Sequence, residues 1–120
     1  MPESNATYNV LPQSSDGLSS LAAYRRVGGY TALENAIRQQ TPDQVIQQVI
    51  DAKLRGRGGA GRPTGEKWRI VRRRDDDQKY VICNAYDADS RSLAARTLLE
   101  RNPHQVIEGI VLAAYAVGAT

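Results

Sequence analysis

From Leu18 onward the apolar positions recur mostly at helical spacing, and polar or glycine-rich breaks divide them into short units. Residues 18–26 carry a first helical pattern, which Gly28 and Gly29 interrupt. A second runs from Thr31 to Gln39 with Ala32, Leu33, Ala36 and Ile37 on one face. Thr41, Pro42 and Gln44 then form a capping-box signature: hydroxyl at the N-cap, proline at the first helical position, glutamine three residues after the cap. They predict a third helix from Pro42 to Leu54 that buries Val45, Ile46, Val49 and Ile50. Glycine fills five of the twelve positions from Leu54 to Gly65, so no regular element is expected there. Thr64 can cap a basic helix over residues 65–73, which the run Asp75, Asp76, Asp77 ends in solvent. Lys79 to Ala85 has the β-branched and aromatic content of a short buried strand. Arg91 to Arg101 reads as a helix, and Asn102 with Pro103 starts a last one through Val117. That last helix is apolar on nearly every side, from Val106 and Ile107 to Tyr115 and Val117, as a helix covered all round would be.

Helices flanking at least one buried strand imply an α/β fold whose sheet is incomplete within this chain. Residues 1–17 read as an extended or disordered arm, 18–54 as a helical segment, and 55–120 as the first part of an α/β domain. A single strand cannot satisfy its own edges, so further strands are expected from additional sequence or from another subunit, and the chain is not expected to be a self-sufficient folded unit. The 120 residues suffice for one core and not for two.

Composition removes several classes of chemistry. One cysteine, Cys83, and one histidine, His104, cannot make an internal disulfide, a zinc site or an iron–sulfur site from this chain alone. The uncharged stretch from Ile110 to Thr120 is far below the ~20 residues of a membrane helix, and no basic leader precedes an apolar segment at the start. A cytoplasmic protein without direct membrane insertion is expected. The net charge of +3 conceals an uneven distribution: residues 51–74 hold nine basic and two acidic groups, hence +7, leaving −4 for the remainder. Such a focused field suits an anionic partner, and it equally suits a solvated basic face.

Gly56, Gly58 and Gly61 spell G-x-G-x-x-G, but a helix precedes them where the dinucleotide fingerprint needs a strand, and no G-K-[ST] follows as a P-loop requires. The physics of a glycine loop remains. Without Cβ atoms the backbone can turn its N–H groups into one concavity and approach a phosphate closely. The following helix start adds its positive end, and Lys67 in its first turn adds a point charge. Asn84, at the end of the expected strand, is placed either to hydrogen-bond a ligand ring or to make a turn. Cys83 is expected to pack in the core, and His104 to cap or to lie on the surface. No nucleophile–histidine–carboxylate set can be assembled.

Three blocks, LRGRGGAGRPTGEKW, KYVICNA and LLERNPHQVIEGIVLAAYAVGA, in this order and spacing, resemble the family of FMN-binding, NADH-oxidising subunits of respiratory complex I, which includes the flavoprotein subunits of soluble NAD-linked hydrogenases and formate dehydrogenases. The resemblance runs from about Tyr24 through Thr120 and covers the N-terminal part of the family pattern. It implies a three-layer α/β FMN-binding domain, with FMN held by Gly56, Arg57, Gly58, Gly59 and Lys67 and with Asn84 beside the flavin. It also implies NAD(H) or NADP(H) as substrate, and electrons passed to iron–sulfur clusters in further sequence or in partner subunits of an electron-transfer complex, one of them an iron–sulfur protein, at the cytoplasmic face of a membrane where that complex is membrane-bound. Where relatives usually read C-N-A-D-E-G-E-P-G, this chain has Cys83, Asn84, Ala85, Tyr86, Asp87, Ala88, Asp89, Ser90 and Arg91. The nucleotide positions implied are Tyr86, Asp87 and Asp89, with Arg62 where the family usually has phenylalanine; an arginine there suits a 2′-phosphate. These replacements support a rival expectation, a degenerate paralogue that keeps the fold and the subunit contacts without nicotinamide or even flavin binding. Nucleic-acid binding through the Arg/Gly run is not expected, because no aromatic residues interleave with the arginines.

Overall fold

The computed structural model describes residues 17–56, 59–87 and 91–120. Six α-helices occupy the described residues: α1 (Leu21–Arg26), α2 (Thr31–Gln39), α3 (Pro42–Asp51), α4 (Thr64–Arg72), α5 (Ala94–Arg101) and α6 (Pro103–Val117), with a single 3-10 turn at Gly59–Gly61. All five other helices touch α6, and α3 also packs on α4. The core lies where these meet. Ala36, Val45, Ile46 and Ala116 are buried together, with Ile50, Trp68, Leu112 and Tyr115 packed around them.

Local chemistry explains most boundaries. Thr41 Oγ1 accepts from the Gln44 N–H at 3.3 Å while Gln44 Oε1 accepts from the Thr41 N–H at 2.8 Å, so the expected capping box starts α3. That helix ends at Asp51 and not at Leu54, because Lys53 adopts a left-handed φ of 54° and turns the chain out. Ser20 caps α1, its Oγ accepting from the Ala23 N–H at 3.2 Å. Gly118 (φ 77°) closes α6 in the left-handed conformation that glycine tolerates. Thr64 does not cap the basic helix: Pro63 holds the cap position, and Thr64 is the first helical residue. Nor does the Asn102 side chain cap α6, its amide donating to Gln105 Oε1 at 2.7 Å instead. Close approach of α4 to α3 depends on Gly65, where a Cβ would stand 2.9 Å from the Ile46 carbonyl oxygen.

Two expectations fail for one reason. Residues 79–87 form no strand, and among the described residues all extended regular structure is limited to one isolated bridge between Arg55 and Pro63. A strand is stable only when its N–H and C=O rows are paired, and no neighbouring strand is at hand. The expected buried strand therefore lies open, with Ile82 87% exposed, and Cys83 is exposed instead of buried in the core. The α/β sheet is absent from the described residues, which fold as a helical layer. Likewise α6 is covered on one side only: Ile107 and Val111 face outward. The N-terminal arm, residues 1–16, lies outside the described residues.

A buried carboxylate ties the first two helices to α6. Glu108, the only carboxylate of α6, accepts from the Tyr24 hydroxyl and from the backbone N–H groups of Tyr30 (3.0 Å) and Leu33 (3.2 Å). Tyr30 takes a left-handed φ of 67°, which aims its N–H at that carboxylate, and a Cβ at Gly29 would strike the Tyr24 ring. Burial, reinforced by the hydrogen bond to Glu108, pushes the Tyr24 phenol up to about 12. His104 neither caps the helix nor lies free on the surface; its half-buried ring stacks on Tyr24 with centroids 5.8 Å apart, and its Nδ1 pairs with the Tyr30 hydroxyl at 2.9 Å.

Candidate functional site

The glycine-rich stretch is a pinched turn at the foot of α4. Its base is held by the Arg55–Pro63 bridge, by the Thr64 N–H donating to the Leu54 carbonyl at 2.8 Å, and by the Gly56 N–H donating to the Arg62 carbonyl at 3.4 Å. The Arg55 guanidinium closes it from the side, donating to the Gly61 carbonyl at 3.1 Å. At the tip Gly59 (φ 66°), Ala60 (φ 56°) and Gly61 (φ 67°) are successively left-handed. Glycine adopts this conformation without cost, and a run of such residues bends the backbone into a tight concave turn.

Lys67 comes from the first turn of α4 and returns over this tip. Its Nζ lies 3.7 Å from the point where a Cβ on Gly59 would stand. Gly59 and Lys67, eight residues apart in the chain, are therefore brought together, and the missing side chain leaves room beside the ammonium. Among the described residues no carboxylate pairs with any basic group of residues 53–74; the ion pairs are Arg25–Glu34 and Arg96–Glu100, elsewhere in the fold. A turn whose only side chain is the Ala60 methyl, an ammonium and the positive start of a helix together suit a phosphate or other oxyanion. Arg57 and Gly58, also expected in the site, lie outside the described residues.

The second group of expected residues sits apart on the segment before α5. Asn84 is exposed, and its Oδ1 accepts from the Tyr86 N–H at 3.0 Å, the local turn that asparagine favours. The Tyr86 ring projects into solvent. Asp87 directs both carboxylate oxygens at α5: Oδ1 accepts from the Ala95 N–H at 3.1 Å and Oδ2 from the Arg96 N–H at 3.2 Å. A small cleft of about 100 Å³ separates Cys83, Asn84 and Ala85 from Ala95, Leu98, Leu99 and Val106. Arg62 is exposed at the exit of the glycine turn, and Asp89 lies outside the described residues. Among the described residues no hydrogen bond links the Asn84–Asp87 segment to the turn.

Three roles were not legible in the sequence, among them that of Asp87, which the resemblance puts at the nucleotide. Arg55 clamps the turn, Gly65 seats α4 on α3, and Asp87 caps α5 from outside the helix. Only Gly65 had a local signal, a glycine at the second position of a helix where any other residue would form it better.

A left-handed glycine-rich turn under a lysine ammonium thus opens a basic helix on a helical layer. The chain belongs to the Nuo51 FMN-binding domain family, whose model matches residues 49–120. It is similar to an NADH-quinone oxidoreductase subunit of Rhizobium meliloti (strain 1021), with 46% identity over 99 residues, 82% of this chain and 24% of the relative. NAD-reducing hydrogenase HoxS subunit alpha of Cupriavidus necator is 52% identical over 77 residues, 64% of this chain and 13% of that protein. NADP-reducing hydrogenase subunit HndC of Solidesulfovibrio fructosivorans is 43% identical over 101 residues, 84% of this chain and 20% of the relative. The chain thus spans about a quarter or less of the length of these relatives.

Proposed function

We propose that this chain supplies the phosphate-holding part of an FMN site in a multi-subunit oxidoreductase that takes electrons from NADH or NADPH. The observation that carries the reading is the meeting of the left-handed Gly59–Gly61 turn with the Lys67 ammonium, whose Nζ lies 3.7 Å from where a Gly59 Cβ would stand. In this reading Arg57, Gly58 and Gly59 offer backbone N–H groups to the FMN phosphate, Gly56 lets the backbone approach it closely, Lys67 neutralises its charge, and Asn84 borders the flavin ring system. FMN, when bound, supplies the step between two-electron hydride chemistry and one-electron transfer. The chain's residues bind and orient it. Residues 79–85 then pair as a strand in a three-layer α/β domain whose other strands come from outside the described residues, and an iron–sulfur subunit receives the electrons. Among the described residues no helix is long and apolar enough to cross a membrane, which suits a subunit placed at the cytoplasmic face of a larger complex.

Lys67→Ala tests the reading. Loss of a charge-assisted contact of ~1.5–3 kcal/mol predicts a ten- to hundredfold weaker FMN affinity. Unchanged affinity removes Lys67 from the site.

A second reading, a structural subunit that has given up the nicotinamide site, draws on Asp87, whose two oxygens are both engaged by α5, and on the outward Tyr86 beside it. Flavin bleaching on addition of NADH or NADPH to the purified native protein separates the two: bleaching favours the first, and a bound flavin that neither nucleotide reduces favours the second.

A further inference from the structure

We infer that Asp87 is a positioning residue: by capping α5 it sets where Asn84 and Tyr86 stand, and it acts on a bound flavin through Asn84 instead of touching a nucleotide itself. The inference rests on the reading of Asn84 as a neighbour of the flavin. Tyr86 and Asp87 lie beyond the expected strand, where no ladder would hold them, and a cleft lies between Cys83, Asn84 and Ala85 and helices α5 and α6. The order of residues 84–87 comes from two polar contacts three residues apart. One is the Asn84 side chain, which takes the Tyr86 N–H; the other is Asp87, which takes one N–H of α5 with each oxygen.

The α5 end of this contact has equal need of it. Ala95 and Arg96 are the second and third residues of the helix, where backbone N–H groups have no intrahelical acceptor, and the cap residue Leu93 has no side chain able to serve. A carboxylate satisfies both donors and matches the positive helix end. Because α5 packs on α6, the cap transmits the position of the helical layer to Asn84. Asp87 thus couples the end of the segment to α5, as Lys79, whose Nζ donates to the Arg72 carbonyl at 3.1 Å, couples its start to α4.

The test uses the protein purified in its native form, with FMN as the probe. Asp87→Ala should weaken FMN binding about five- to tenfold, the usual worth of a helix cap, and Asp87→Asn, which keeps one carbonyl acceptor, should recover part of the loss. Asn84→Ala should cost a similar factor, and the double variant should bind no more weakly than Asn84→Ala, because Asp87 acts through Asn84. Additive losses, or full affinity in Asp87→Ala, would overturn the inference. Hydrogen exchange in the FMN-free protein reads the anchor separately: Asp87→Ala should speed exchange at Ala95 and Arg96 and at Tyr86 while leaving α3 unchanged. Unchanged protection overturns the inference whatever FMN does. A wild-type protein that takes up no FMN refutes the proposed function, and a flavin role for Asp87 with it; faster exchange in the variant then leaves Asp87 as the cap of α5 alone.

Discussion

Residues 79–87 are richer in apolar side chains than residues 31–51, with six of nine positions against eight of 21, yet the poorer stretch is the buried one. Residues 31–51 form α2 and α3, which satisfy their own backbone and then need only one apolar face covered, and α6 covers it. Residues 79–87 must find hydrogen-bond partners outside themselves before any side chain can be buried, and the described residues offer none. Composition sets what a segment can bury; the location of its backbone partners sets whether it does.

The contrast breaks most severely at the core. Ile46 is fully buried, so Ile46→Ala should destabilise the fold by about 2–5 kcal/mol, whereas Ile82→Ala, at an 87% exposed position, should change stability by about 0.5 kcal/mol or less. Paired chemical denaturation curves measure both. A comparable loss at Ile82 is expected only where further strands complete the sheet, as the proposed function requires of the assembled protein.

Removing the Glu108 carboxylate should come next. Glu108→Ala strands the Tyr24 hydroxyl and two backbone N–H groups, at about 1–3 kcal/mol for an unpartnered buried donor. The α2–α6 contact should loosen while the glycine turn keeps its shape, which hydrogen exchange can resolve.

The same cluster gives a pH signature. The Tyr24 phenol is raised to about 12 in the fold against about 10 for a free tyrosine, so the folded state holds this proton more tightly than the unfolded one. Its contribution is complete below pH 10 and is lost as pH climbs to about 12. Denaturation midpoints should therefore fall over that window, and Tyr24→Phe should shallow the fall. The smallest of these effects belongs to the α3 cap: Thr41→Ala should cost about 1 kcal/mol.

How much of this was legible in the sequence depended on how local the cause is. The bounds of α2 and α6 and the capping box of α3 follow from neighbours within four residues, and they stand as expected. The glycine-rich stretch turns tightly at Gly59–Gly61, as the missing Cβ atoms allow. What resisted reading depends on distant partners. Nothing near Glu108 in the sequence points to Tyr24, 84 residues away, whose hydroxyl it accepts from. Asp87 carried no sign that it would cap a helix eight residues on. The strand expected at Lys79–Ala85 had the right residues for a sheet and lacked the sheet.

The account turns on whether the Gly59–Lys67 turn holds a phosphate, and the most direct measurement compares FMN with riboflavin, which carries the same ring system and no phosphate. In the purified native protein FMN should bind at least about tenfold more tightly than riboflavin, and Lys67→Ala should reduce that gap by weakening FMN alone. Equal affinities for the two flavins, or a Lys67→Ala variant that weakens both alike, would contradict it.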